Sequence, residues 1–558
     1  MYLEFRSVKT ALLAGVVFVA LPGLALAQSG PSSDELMASG TDSSNWVLPA
    51  GNYSGNRQVS ESEISRENAD KLKVAWTFKI PDKAPVEASP IIWDGMMYIT
   101  SSHDDVYALD AKTGEMKWQY NPKPDQLVGF SRNRGVAVYD GKVFIGLING
   151  HMAALDAKTG KELWNKQTVE NPENSFYTMQ PVPYKGMILL GVSNGDWGGI
   201  GNISAFDPKT GERIWKWNSI PGPGEPGHET WSGESWKRGG GAIWSGLSID
   251  PKSDTLYVSV GNPQPDFLGA ARAGDNLYTD SMVALDISGD QPKVKWHYQF
   301  TPHDTHDWDP AMPPVLFTGN IDGKDVDLAA AGDKAGNFWI LNAKTGELVS
   351  KTAVSFQYHQ DVAPPQEGKN YACPNTNGGV EYNGGAYDPA TNTFFVPSTD
   401  QCGEWSASNE ARYIAGQFYL GGSFPKLAGK NSGWFNAINV DGGYPAWRHH
   451  LDLPANGGAL VMDYDGGNAT DRESLVFSGM LDGMFNVYDG QSGELLWSHD
   501  TGASIIAPPA TFTSGGNRYV AVASGDPGFL KVPELTREIG PAVLTTFVSA
   551  SSESAQTN

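Results

Sequence analysis

Four short stretches of this 558-residue chain concentrate side chains that can do chemistry. Thr301-Pro-His-Asp-Thr-His-Asp307, followed at once by Trp308 and Asp309, holds carboxylates and imidazoles within nine residues. Such carboxylates can take a proton as a general base or offer hard oxygen to a metal ion. Gly239-Gly-Gly-Ala-Ile-Trp244 brings in a flat indole behind a glycine-rich approach, and Gly261-Asn262-Pro263 offers a side-chain carbonyl. Gly195-Asp196-Trp-Gly adds a carboxylate, for which a turn former beside glycine is the plain alternative. A lone Trp is most often core, and Arg134 or Lys334 taken singly is most often a solvated surface charge.

The elements that must position these groups are constrained by the rest of the chain. The first residues carry Arg6 and Lys9, then an apolar run from Ala11 to Ala25, then Ala25-Leu26-Ala27 before Gln28. This pattern predicts an export signal over residues 1–27. A membrane anchor needs about 20 apolar residues, and the run is shorter than that. No Cys stands near the cleavage point to take a lipid. The formal charge is −23, and losing residues 1–27 makes it one unit more negative. So acidic a surface disfavours nucleic acid and suits a basic protein partner or simple solubility. Cys373 and Cys402 are the two cysteines. In an oxidising compartment they are expected to pair, a link worth about 3–4 kcal/mol in the chain-entropy model, with two free thiols as the alternative. No C-x-x-C-H sequence is present to attach a c-type haem.

A repeat runs along the chain. Asp110-Ala-Lys-Thr-Gly-Glu-Met-Lys-Trp118 recurs at Asp156–Trp164, Asp207–Trp215 and Asp489–Trp497, with weaker copies beginning at Asp286, Asn342, Asp388 and Asp441. In each, the Asp can bond its own turn, Gly supplies positive φ, and the Trp pins the following strand. Eight copies spaced 46 to 79 residues apart, with no helical periodicity between them, predict an all-β, eight-bladed propeller of four-stranded sheets. A β-solenoid is the alternative fold. One such domain over 28–548 is expected, with 549–558 as a solvated tail and the stretch from Asn56 to Ile80, including Trp76, completing the last blade. The longest interval, 79 residues between the third and fourth copies, predicts functional loops.

From about Asn45 to Gly528 the chain resembles the pyrroloquinoline quinone (PQQ) dependent alcohol dehydrogenases. The Asp-x-x-Thr-Gly-x-x-x-Trp repeat is similar to their tryptophan-docking motif. The more specific marks are Trp231-Ser-Gly-Glu-Ser-Trp236, Gly239–Trp244, Gly261-Asn-Pro263 and Thr301–Asp307. The resemblance implies that Trp244 is the floor for a planar quinone bearing three carboxylates. Arg134 and Lys334 then meet its anionic groups, and Glu87, Thr178 and Ser193 make polar contacts with it. It also implies a metal held by Asp196, Asn262 and Asp307, with Asp307 as catalytic base, kept ionised by a neighbouring cation. Asp196 stands where the family usually has Glu. Asp309 resembles the extra ligand of lanthanide-dependent members, although Pro310 and His306 depart from their pattern. Calcium is therefore the expected metal and a lanthanide the alternative.

Two departures bear on substrate. The adjacent cysteines usual in methanol- and ethanol-type members are replaced by Val128 and Gly129, and the usual Asn before an aromatic residue is Glu381, before Tyr382. Glu381 could repel the cofactor or bind a substrate hydroxyl. Both departures point away from methanol, toward larger or secondary alcohols. The resemblance further implies a periplasmic enzyme with an external electron acceptor such as a soluble cytochrome c, and it leaves monomer or homodimer open. Two other classes compete. A sugar or polyol quinoprotein would often carry an N-terminal membrane domain. A non-catalytic propeller scaffold would lack Arg134, Trp244, Asn262 and Asp307.

Overall fold

The computed structural model describes Met1 and residues 30–82, 85–123, 131–465 and 472–549. The expected export signal, Val128, Gly129 and the tail beyond Ser549 fall outside the described residues. Among the described residues strand dominates, and helix is confined to one five-residue α-helix, Ser33–Met37, and short 3-10 turns. No helix among the described residues is long and apolar enough to cross a membrane.

The strands group into eight sheets among the described residues, built mostly from antiparallel neighbours in chain order. The first is typical: Ile91–Trp93, Met96–Thr100, Val106–Asp110 and Met116–Tyr120 lie side by side. Its middle strands are buried almost throughout, whereas Met116–Tyr120 exposes all but Trp118 and the edge of Tyr120. Sheets packed on both faces call for continuous apolar strands inside, and alternation returns only at the solvated outer strand. The short strand Gln58–Val59 joins the seventh sheet in parallel beside Leu460–Asp465.

The repeat explains how neighbouring sheets adhere. Asp110 accepts the backbone N–H groups of Lys112 and Thr113, closing the turn, while Gly114 sits at φ 73°. The Trp reaches further than its own hairpin. Trp118 lies over Gly160 of the next turn and donates its indole N–H to Ala157 at 3.1 Å. Trp76 does the same to Gly114 and Ala111, Trp296 to Gly346 and Ala343, and Trp447 to Gly493 and Gly490. A Cβ on Gly114 would stand 2.5 Å from the Trp76 ring, so both positive φ and ring contact demand glycine there.

One copy of the repeat does a different job. The turn at Asp388 joins Ala386–Asp388 to Thr393–Trp405, the short inner pair of its sheet, and the outer hairpin of that sheet is the Asp441 turn. The eight expected copies therefore supply seven outer hairpins. The eighth sheet has none, because its outer strand, Lys73–Lys79, comes from the N-terminal side and pairs with Val543–Val548. A count of eight arises from seven turns plus this closure.

The long interval between the third and fourth turns holds two excursions, 219–246 and 261–280, flanking the strands Leu247–Asp250 and Thr255–Val260. They carry Trp244 and Asn262. Cys373 and Cys402 are joined, with Cα atoms 4.3 Å apart. The link ties the start of the loop bearing Glu381 and Tyr382 to the long strand Thr393–Trp405.

Candidate active site

All eleven residues singled out for cofactor, metal or catalysis line one cavity of about 470 Å³: Glu87, Arg134, Thr178, Ser193, Asp196, Trp244, Asn262, Asp307, Asp309, Lys334 and Glu381. They come from loops of six different sheets, over nearly 300 positions of chain. A volume of this order suits a cofactor together with a small substrate.

One wall is cationic and hydroxylic. Glu87 is buried and accepts from Arg132 Nε at 2.8 Å and from Arg134 Nη2 at 2.9 Å. Arg134 also donates to the Thr178 hydroxyl at 2.7 Å, and that hydroxyl lies 2.7 Å from Ser193 Oγ. The Arg134 guanidinium lies 4.8 Å from the Trp244 ring centre and 4.2 Å from that of Tyr382. Glu87 thus orients two guanidinium groups, and Thr178 and Ser193 brace one of them.

The opposite wall is acidic, and its shape follows from a local turn. The carboxylate of Asp304 accepts the backbone N–H of His306 at 2.9 Å and of Trp308 at 2.8 Å. The residue between them, Asp307, is held at φ 59°, a conformation rare for residues other than Gly, Asn and Asp. Strain of this kind persists only where the surroundings over-determine it, and it gathers at functional positions. His306 stacks on Trp308 with centroids 4.0 Å apart and packs its edge on Trp405, so it is a core residue. Burial drives its pKa down to about 3, which keeps it neutral.

Lys334 Nζ lies 3.0 Å from Asp307 and 2.7 Å from Asp309, and 5.7 Å from the centre of the Trp244 ring. Asp309 also accepts the Trp244 indole N–H at 2.6 Å, so its two oxygens fix the floor and the ammonium. Gly261 permits this approach, since a Cβ there would meet Asp309 at 3.1 Å. Asn262 is buried beside Asp196; a Cβ on Gly195 would meet its amide oxygen at 3.3 Å.

Asp266, which no sequence motif marked, clusters with two acids of this wall. One oxygen each from Asp196, Asp266 and Asp307 can be chosen so that all lie within 4.8 Å of one another. Asp266 follows Asn262 by four residues in Gly261-Asn-Pro-Gln-Pro-Asp266. An acid at the end of a proline-stiffened loop after a suspected ligand was the available signal. Arg132 and Tyr382 complete the opposite wall.

The electrostatics of the acidic wall pull two ways. Lys334 does favour the ionised form of Asp307, yet burial, reinforced by Asp309, Asp196 and Asp266, holds that carboxyl well above the usual range. Burial likewise lifts Asp196 to about 6, against the pull of Lys334. Carboxylates this close cannot all stay ionised without a cation among them. Hard oxygen donors converging in this way fit a calcium-like or lanthanide ion. The guanidinium and ammonium groups over the Trp244 face fit a flat polyanion.

Glu381 is pushed up to about 7 by burial, partly offset by Lys334. Below about pH 4.5 it is protonated in both folded and unfolded chains. As pH rises from there toward 7, the unfolded chain releases its proton while the folded chain retains it, so stability declines through that window. In cofactor-free protein, Glu381→Gln is therefore expected to match wild type in urea melts at pH 4 and to exceed it at pH 8, by on the order of 2 kcal/mol. Equal stability at both pH values would show that Glu381 ionises freely.

Fold and site together define an all-β protein of packed, mostly four-stranded sheets with a cavity between a cationic wall and an acidic one. The family model for the PQQ glucose/ethanol/alcohol dehydrogenase β-propeller domain matches residues 46–354. The chain is 31% identical to a quinohemoprotein alcohol dehydrogenase of Comamonas testosteroni, covering 94% of this chain and 80% of that one. It is 30% identical to a lanthanide-dependent methanol dehydrogenase of Methylacidiphilum fumariolicum strain SolV, over 90% of this chain and 88% of the relative. A europium-containing methanol dehydrogenase structure superposes with TM-score 0.81 at 29% identity, over 92% of this chain and all of the other. The chain belongs to the PQQ-dependent alcohol dehydrogenase family of oxidoreductases.

Proposed function

We propose that this chain is an eight-bladed, periplasmic quinoprotein that oxidises a large or secondary alcohol to the aldehyde or ketone and passes the electrons to an external cytochrome c. The observation that carries this reading is the convergence of Arg134, Trp244, Lys334, Asp196, Asn262 and Asp307 on one cavity from six separate loops. Bound PQQ would accept the two electrons and a calcium or lanthanide ion would act as Lewis acid toward it.

The remaining work belongs to the chain. Trp244 supplies the flat floor, and Asp309 holds it there through the indole N–H. Arg134, oriented by Glu87 and Thr178, meets carboxylate on the cofactor. Asp196, Asn262 and Asp307 would hold the metal. Asp307 takes the substrate hydroxyl proton, and Lys334 at 3.0 Å stabilises its ionised form. Glu381, titrating near neutrality, can donate a hydrogen bond when protonated, which removes its repulsion toward an anionic neighbour.

The substrate reading rests on the cavity mouth. Phe176, Trp197, Phe418, Phe424 and Phe529 stand around it. Phe418, Phe424 and Phe529 remain 40–49% exposed, an apolar rim that a bulky alcohol can cover and methanol cannot. The test is reconstitution of the chain with PQQ and calcium or a light lanthanide, followed by dye reduction with methanol, a medium primary alcohol and a bulky secondary alcohol. Turnover is expected only with both cofactor and metal, and kcat/KM is expected to rise with substrate size. Methanol as best substrate would overturn the substrate reading, and no turnover with either metal would favour the scaffold.

A further inference from the structure

Asp266 stands outside every role assigned above, yet it is the most deeply buried of the three converging carboxylates. It is 1% exposed, and neither of its side-chain oxygens has a hydrogen-bond partner. The nearby guanidinium of Arg272 does not serve it, because that group donates to the backbone carbonyls of Pro265, Asp266 and Asp304 and to the Asn276 side chain. An ionisable group this buried and unpartnered needs a reason. Its carboxylate converges with those of Asp196 and Asp307, each offering an oxygen within 4.8 Å of the others. Asp309, the other acid near the floor, is occupied by Lys334 and the Trp244 indole.

We infer that Asp266 is a third carboxylate ligand of the metal centre. The inference rests on the reading of Asp196, Asn262 and Asp307 as that centre. The attraction lost with any one carboxylate scales with ion charge, so a trivalent ion depends on Asp266 more than a divalent one does.

The experiment uses the full mature chain stripped with chelator and titrated with La³⁺ or Ca²⁺ by calorimetry. Eu³⁺ luminescence lifetimes in H₂O and D₂O count the waters left on the ion. Asp266→Asn is expected to weaken La³⁺ binding about 100-fold, to weaken Ca²⁺ binding much less, and to add about one water to bound Eu³⁺. Asp266→Ser should reproduce this, and thermal melts certify that both variants are folded. If Asp196→Asn and Asp307→Asn lose affinity while both Asp266 variants keep wild-type affinity and hydration, Asp266 is not a ligand and the centre stands without it. If wild type binds neither ion, or no variant changes either affinity, the centre and the inference fall together.

Discussion

Asp307→Asn is expected to lower kcat by about a thousandfold or more in the PQQ- and metal-loaded protein, while the melting temperature of the metal-free chain stays unchanged or rises. Asn tolerates the positive φ that the Asp304 turn imposes at this position, so the backbone is not disturbed. Removing one charge from a crowded acidic wall relieves repulsion, and Lys334 keeps Asp309 as a partner at 2.7 Å. What disappears is the one carboxylate placed both beside the metal donors and within 3.0 Å of the ammonium. Steady-state dye reduction with a saturating alcohol, run beside a thermal melt, separates the two effects. Turnover within tenfold of wild type would remove Asp307 as the base.

Lys334→Gln should have the largest effect on stability. Lys334 is buried and pairs with two buried carboxylates. Deleting one partner of a buried ion pair typically costs about 3–5 kcal/mol, because the other charge is left uncompensated. The sign of the pH dependence follows. Asp307 already resists ionisation, and without Lys334 it holds its proton to still higher pH. The variant's deficit should therefore be large at pH 8 and shrink toward pH 4 as the carboxyls protonate. Denaturant midpoints across that range measure it, and a midpoint equal to wild type at pH 8 would show that Lys334 carries little of the compensation. In the loaded enzyme the acid limb of the kcat profile should move to higher pH, because Asp307 is harder to ionise.

Much of the architecture was legible along the chain because the docking turn is a local device. Asp, Gly and Trp at fixed offsets close a hairpin by hydrogen bonds within four residues and leave an indole ready for the next sheet. Local signals have a limit, shown at Asp388. The same turn chemistry serves an inner hairpin there, and only strand pairing tells the two apart. The missing eighth hairpin was supplied by Lys73–Lys79 pairing with Val543–Val548, a contact between opposite ends of the chain.

For the site, the sequence by itself determined which residue types were available and in which motifs: the Gly-framed Trp244, the acids around Asp307, and cations at Arg134 and Lys334. Only the tertiary structure decided how their charges are compensated. Asp309 proved to be anchored by Trp244 and Lys334. His306 proved to be core, stacked on Trp308. Asp266 proved to face Asp196 and Asp307. The physical reason is range. A turn is specified by neighbours in sequence, whereas the ionisation of a buried carboxylate depends on every charge and dipole within several ångströms, and those arrive from loops hundreds of residues apart.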